Sequence, residues 1–255
     1  MPPAVPADQS ATAVAVIPAR YQSTRLPGKP LADIHGRPMV EHVYRRACEA
    51  RSVRRVLVAT DDLRVFETVR AFGGEVVMTS PHHRTGSERV AEVAAGVNEA
   101  FVVNVQGDEP LIAAEMIDAA VAACAAAPQV VMSTVRRAIT DPHDLDNPAV
   151  VKVVTDLTGR ALYFTRTRVP FVRDAGTAVS CYKHIGLYVY RREFLLHLTG
   201  LAPTPLERAE SLEQLRALEH GFSIMTVETT ADAIGVDTPD DLERIRRLVA
   251  ASTLR

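Results

Sequence analysis

Short apolar runs alternate with longer amphipathic ones through the first half of this chain, and that alternation restricts the fold more than any other feature. Strand-like runs stand at Val14–Pro18, Arg55–Ala59, Glu75–Met78 and Phe101–Val105. Between and after them the helical period predicts Met39–Ala50, Leu63–Phe72, Gly86–Val97 and Ala113–Ala126, with Gly73-Gly74 closing the second helix. Repeated strand–helix–strand units demand right-handed crossovers and a largely parallel sheet with helices on both faces. The second half is more mixed. Strands are expected at Val130–Arg136, Ala149–Thr155, Ala161–Thr165 and Ile185–Tyr190, and helices at Arg191–Leu198, Leu206–Leu218 and Pro239–Ala250. Residues 136–148 and 172–183 carry loop chemistry. No linker divides the chain, so residues 13–255 read as a single α/β domain with a protruding lobe over roughly 136–200.

A hydrophobic content of 47% is ample for a buried core, and a net charge of −2 excludes a broadly basic nucleic-acid binder. With no tryptophan and few aromatics, base-stacking platforms are also absent. Cys48, Cys124 and Cys181 are scattered and odd in number, which argues against a disulfide framework or a thiolate metal site. Residues 1–12 are rich in proline and alanine without a positive n-region or an apolar h-region, and read as a disordered tail rather than a signal peptide. No apolar run approaches membrane-spanning length. A reducing, cytoplasmic setting follows.

Chemistry is concentrated in a few motifs. The first strand stops at Pro18 and opens V-I-P-A-R-Y-Q-S-T-R-L-P-G-K-P-L, where Arg20, Arg25 and Lys29 are interleaved with Ser23, Thr24 and Gly28. Three cations beside a close-approaching backbone suit a polyphosphate, although a basic loop can also be merely solvated. The Walker pattern is absent. Next, V-N-V-Q-G-D-E-P-L ends a strand in Gln106, Asp108 and Glu109, an ordinary turn or a cation site. In G-V-D-T-P-D-D-L, Thr238 can cap the last helix, which leaves the Asp237 carboxylate for a metal. Two such carboxylates with phosphate oxygens and water make a hard, oxygen-only Mg²⁺ site. In M-T-S-P-H-H-R-T-G-S-E-R, Thr85, Gly86 and Ser87 let backbone approach a planar base, with Ser87 as an alternative helix cap. His82-His83 has no spaced third ligand and is poor evidence for zinc. In H-I-G-L-Y, the two-residue period puts His184, Gly186 and Tyr188 on one strand face. Glu213-Gln214, on an amphipathic segment, would ordinarily be a solvated face.

These motifs, in this order and over nearly the whole chain after residue 12, resemble the 3-deoxy-manno-octulosonate (KDO) cytidylyltransferases, or CMP-KDO synthetases. The resemblance implies a Rossmann-like, GT-A-like nucleotidyltransferase fold: three α/β/α layers, a largely parallel mixed sheet and a small dimerisation and substrate lobe. It implies transfer of CMP from CTP to the anomeric 2-hydroxyl of KDO, a homodimer, and a place in lipopolysaccharide synthesis. It assigns Pro18, Ala19, Arg20, Ser23, Arg25 and Lys29, together with Thr85, Gly86 and Arg89, to the nucleotide. Arg20, Lys29, Asp108 and Asp237 become catalytic, the two aspartates holding Mg²⁺. Arg89, Gln106, Arg166, His184, Tyr188, Glu213 and Gln214 fall to the sugar acid, with Arg166 and His184 pairing with its carboxylate. Between V-P-F and K-H-I-G-L-Y the chain is shorter than the family pattern, so residues 172–182 build a different pocket edge. The alternatives are the same transfer to a related acid (8-amino-8-deoxy KDO or a sialic-like acid) and a non-catalytic CTP-binding module. The retained Lys29, Asp108 and Asp237 argue against the module.

Overall fold

The computed structural model describes residues 12–22, 26–174 and 176–253; most of the expected N-terminal tail lies outside them. In chain order the elements are β1 (Ala13–Pro18), a 3₁₀ turn (Lys29–Leu31), β2 (Asp33–Ile34), β3 (Arg37–Pro38), α1 (Met39–Cys48), β4 (Val53–Thr60), α2 (Leu63–Ala71), β5 (Glu75–Met78), α3 (Gly86–Ala95) and β6 (Phe101–Asn104). There follow α4 (Ala114–Ala125), β7 (Met132–Ala138), α5 (Pro142–Asp146), β8 (Lys152–Thr155), β9 (Ala161–Thr165), β10 (Tyr182–Arg191), α6 (Arg192–Gly200), α7 (Pro205–Glu210), α8 (Gln214–Glu219), β11 (Ile224–Thr229) and α9 (Pro239–Thr253).

One nine-stranded sheet runs β11-β7-β10-β6-β1-β4-β5, with β8 and β9 attached beside β10. β6, β1, β4 and β5 pair in parallel, whereas β10 is antiparallel to both β6 and β7. The architecture is therefore the expected α/β one with a largely parallel, mixed sheet. β1 explains the layering. Its side chains alternate between the faces, and Ala13 through Ile17 are all fully buried. Ala13, Ala15 and Ile17 meet α1, α2 and α4 on one side, and Val14 and Val16 meet α3 and α6 on the other. A strand covered on both faces has to be apolar throughout.

A third, smaller core joins the ends of the chain. Ile34 and Met39 pack against Val236, Leu242 and Ile245, so the short β2–β3 hairpin clamps onto α9. Arg246 reinforces this by donating to the Asp33 carbonyl at 2.7 and 2.9 Å. The β8–β9 hairpin pairs with the start of β10, at Tyr182 and Lys183, beyond the part of β10 that pairs with β6.

The structure corrects one expected element. Leu206–Leu218 is not a single helix: Ser211 takes a left-handed conformation (φ 53°) and divides it into α7 and α8. The two pieces are folded together by Arg216, which grips Glu207 at 2.6 and 2.8 Å, and by Glu219, which accepts the Leu206 N–H at 3.0 Å. The break has a consequence: it turns Glu213 and Gln214 out of a solvated helix face and into a cleft.

Candidate active site

Parallel strands all end on the same edge of a sheet, and loops after their carboxyl ends form the crevice of an open α/β fold. The loops after β1 and β6 and the segment before α9 converge there. Lys29, in the 3₁₀ turn, places its ammonium 2.6 Å from Asp108 Oδ2 and 3.1 Å from Asp237 Oδ1. Burial alone would lower the Lys29 pKa; the two carboxylates outweigh burial and hold it above its usual value.

Local chemistry keeps these groups in place. Gly28 caps the turn at φ 69°, and a Cβ there would stand 3.2 Å from the Tyr21 ring. Gly107 lets the β6 loop pass against β1, where a Cβ would meet the Pro18 carbonyl oxygen at 2.8 Å. The Val236 N–H donates to the Asp108 carbonyl at 2.9 Å and ties the two aspartate segments together. Thr238 and Asp241 cap α9 reciprocally, Asp241 N–H to Thr238 Oγ1 at 3.2 Å and Thr238 N–H to Asp241 Oδ2 at 2.9 Å. Thr238 thus takes the capping role the sequence allowed it, and the Asp237 carboxylate stands against Lys29.

The donor set can be tested for a metal. Two carboxylates from distant segments already share one cation, the Lys29 ammonium, and all their donors are hard oxygens, which suits Mg²⁺. Among the described residues no group of three or more His, Cys, Asp or Glu side chains could hold an ion. A metal bound here would take its remaining ligands from nucleotide oxygens and water.

Beside this cluster lies the segment expected to meet the nucleotide. Ala19 is buried, and its N–H donates to the Ala59 carbonyl at 2.9 Å. Arg20 holds the carbonyls of His83 and Thr85, the latter at 3.1 Å, and so staples the loop after β1 to the loop before α3. Thr85, not Ser87, is the α3 cap, accepting the Glu88 N–H at 3.2 Å. Gly86 sits against the Pro18 ring. Ser23 and Arg25 lie outside the described residues.

A cleft of about 870 Å³ continues from Asp237 past Gln106 and Glu109 to His184, Gly186, Tyr188, Glu213 and Gln214. Its floor is buried and polar. Burial, with Asp108 and Asp232 nearby, pushes the Glu109 carboxyl up to about 8. Glu109 Oε2 and Gln214 Nε2 are buried without a hydrogen-bond partner among the described residues. The Gln106 amide donates to Asn104 Oδ1 at 3.3 Å. Burial also raises the Glu213 carboxyl, opposed by the hydroxyls of Ser87 and Thr85. Such groups are suited to a ligand rich in hydroxyls.

Many known proteins, and one family model, are similar to this chain. The model described as cytidylyltransferase covers residues 14–227. The 3-deoxy-manno-octulosonate cytidylyltransferase of Geobacter sulfurreducens is 56% identical over 91% of this chain and 96% of its own length. The chain belongs to this family. The enzyme of the same name from Geobacter metallireducens is also 56% identical, over 91% of this chain and 95% of its own. A solved structure of CMP:2-keto-3-deoxy-manno-octonic acid synthetase complexed with CTP is 44% identical, with a TM-score of 0.91, over 94% of this chain and 99% of that one.

Against the family pattern, three expected roles need correction. Arg89 does not reach the cleft: it is fully buried, with Thr79 Oγ1 on one side and Asp61 Oδ2 at 2.9 Å on the other, and it locks α3 to the ends of β4 and β5. Arg166 does not line the cleft either. Its guanidinium donates to the carbonyls of Glu210 (2.8 Å) and Pro148 (3.0 Å), while its own carbonyl accepts from the buried Lys152 ammonium at 2.6 Å. It therefore stitches the lobe to α7. His184 does line the cleft, but not as a cation. Burial pushes its pKa down to about 3. Thr134 Oγ1 donates to the Leu187 carbonyl at 2.7 Å, so its 2.9 Å contact with His184 Nε2 makes the ring nitrogen the donor and leaves Nδ1 an acceptor. Neutral His184 can serve a hydroxyl, not neutralise a carboxylate. Tyr188 lies beside it, ring centroids 5.3 Å apart.

The sequence-derived set omits Glu109, although it stands within the Q-G-D-E motif and its pairing with Asp108 was a usable signal. It also omits Arg137, Lys183 and Asp232 on the cleft wall. These three meet only through tertiary structure, and no local spacing marks them.

Proposed function

We propose that this protein transfers CMP from CTP to the anomeric 2-hydroxyl of KDO and releases pyrophosphate. The observation that carries this reading is the convergence of Lys29, Asp108 and Asp237 at one end of a cleft whose other end is lined by buried, unpartnered polar atoms. The 2-hydroxyl attacks the α-phosphorus in line with the departing pyrophosphate, forming the new P–O bond as the bond to pyrophosphate breaks and giving its proton to solvent water. Lys29 supplies a fixed positive charge for phosphate oxygens as charge grows on the leaving group. Arg20 holds the base-side loop through the carbonyls of His83 and Thr85. Gln106, Tyr188, Glu213 and Gln214 orient the sugar hydroxyls so that the nucleophile meets phosphorus in a near-attack geometry. Asp108 and Asp237 would hold Mg²⁺, which when bound polarises phosphate oxygens and lowers the pKa of a neighbouring hydroxyl. Among the described residues no cleft side chain is placed as an obvious general base, so positioning and electrostatics carry most of the rate.

The enzyme works as a homodimer in the cytoplasm, and its product serves lipopolysaccharide synthesis. Exposed Leu157 and Leu162 on the β8–β9 hairpin, and Phe171 beyond it, support a subunit contact through the lobe. No helix among the described residues is long and apolar enough to cross a membrane. The deciding experiment is pyrophosphate release with a panel of nucleotides and sugar acids, with and without Mg²⁺. CTP with KDO should be the preferred pair and should need the metal. Preference for an 8-amino or sialic-like acid would move the substrate assignment. CTP binding with no turnover of any acid would replace the enzyme with a binding module.

A further inference from the structure

Asp237 is delivered by a segment with no helix or strand of its own, residues 230–238, between the end of β11 and the start of α9. The far end of this segment is well fixed by the Val236 N–H on the Asp108 carbonyl, by the burial of Val236, and by the Thr238–Asp241 cap. Its near end is held differently. Asp232 lies 2.5 Å from Arg137 Nη1 and 2.9 Å from Lys183 Nζ. Arg137, at the end of β7, and Lys183, at the start of β10, are register partners on antiparallel strands. Like charges placed opposite each other on neighbouring strands repel. Here Asp232 sits between them as their shared anion, and the two cations outweigh burial and hold its carboxyl below the usual range. All three side chains are on the cleft wall, yet both cations already have an anionic partner at ion-pair distance.

We propose that Arg137, Asp232 and Lys183 form an anchor that pins the 230–238 segment to the sheet and so sets Asp237 against Asp108 and Lys29. They are positioning residues, acting on the metal site through the chain between Asp232 and Asp237. The inference rests on the reading of Asp108 and Asp237 as metal ligands. Loss of a group that orients a metal's ligands typically costs about 10- to 100-fold in metal affinity or activity.

The test uses the full chain with Asp232→Asn and, as a milder pair, Lys183→Gln with Lys183→Arg. Mn²⁺ binding to the enzyme–CTP complex is measured by electron paramagnetic resonance without any sugar acid, alongside the Mg²⁺ dependence of turnover and the KM for KDO. Asp232→Asn should weaken Mn²⁺ roughly 10-fold, the low end of the range for groups that orient a metal's ligands. The Mg²⁺ requirement should rise in parallel, with the KDO KM moving by less than about twofold. Lys183→Gln should show a smaller loss of the same kind, and Lys183→Arg should restore it. If Asp232→Asn does not fold, the Lys183 pair decides. Unchanged Mn²⁺ affinity overturns the anchor. A rise in the KDO KM alone also overturns it, and assigns the two cations to the sugar acid's carboxylate. Failure of the wild type to turn over any sugar acid would sink the proposed function, while the Mn²⁺ measurement would still judge the anchor.

Discussion

The two ends of the cleft are prepared in opposite ways. At one end, the Lys29 ammonium stands within 3.1 Å of both the Asp108 and the Asp237 carboxyl groups. At the other end, His184 and the protonated Glu109 are neutral, and Glu109 Oε2 and Gln214 Nε2 lack partners among the described residues. On the proposed reading the charged end would meet a ligand by exchange: phosphate oxygens and a metal would replace contacts that already exist. The neutral end meets a ligand by completion. A buried polar atom left unpaired costs about 1–3 kcal/mol, and a ligand that satisfies it recovers that cost. Such a site rejects analogues lacking the matching hydroxyl far better than an apolar pocket could.

The contrast ranks the consequences of substitution. Asp108→Asn should have the largest effect, on the order of 10²–10³-fold in kcat, as when a preorganised electrostatic contact is lost. Pyrophosphate release at saturating Mg²⁺ reads it, and near-normal turnover would remove Asp108 from the reaction. Lys29→Ala comes next. Losing a hydrogen bond from a charged group costs about 1.5–3 kcal/mol, or roughly 10–10²-fold in kcat/KM for CTP. The KM for KDO should hardly move. A larger change for KDO than for CTP would mean that the cleft is not divided as described.

What could be read from the sequence followed the same division. The charged end is carried by contiguous motifs. P-G-K-P sets the Lys29 turn, Q-G-D-E-P ends β6, and D-T-P-D-D separates Thr238, the cap, from Asp237, which meets Lys29, because all these effects act within a few residues. The neutral end depends on distant partners. Arg89 and Arg166 looked like ligand contacts, but Asp61 and Thr79 claim one and the carbonyls of Pro148 and Glu210 claim the other. The break at Ser211 is hidden because the left-handed position is filled by a serine, and no glycine or proline between 206 and 218 marks it. β11 escaped notice because two of its buried inward positions are Ile224 and Thr226, and a threonine breaks the apolar alternation. The β2–β3 hairpin escaped it because each strand is only two residues long.

A smaller effect is expected at Gln214. Replacing it with Met keeps much of the volume and removes the unpartnered buried amide. The unliganded protein should become more stable, by about 1 kcal/mol, while the KM for KDO rises by up to about 10-fold, the value of a neutral hydrogen bond. CTP affinity should be unchanged. Chemical denaturation of the free protein, paired with initial rates, separates the two outcomes. A variant that loses both stability and sugar-acid affinity would show that Gln214 is satisfied in the free protein, and the contrast between the ends would weaken.

The last effect is one of pH, and it falls on stability rather than on turnover. The His184 pKa is about 3 in the folded protein, against an ordinary value of 6.5. Between these values the unfolded chain binds a proton that the folded one refuses, so stability falls as pH drops below 6.5. By pH 5 the loss is about 2 kcal/mol. Glu109 has the opposite sign in the same window, because its folded carboxyl keeps a proton up to about pH 8 that the unfolded chain has released. A bare pH profile would blend the two. His184→Gln removes one and leaves the other, so the stability difference between wild type and variant isolates the histidine. Urea unfolding at pH 7 and pH 5 should show the wild type losing ground to His184→Gln on acidification. If the difference were the same at both pH values, His184 would titrate normally, and a charged imidazole facing the sugar carboxylate would again be the better description.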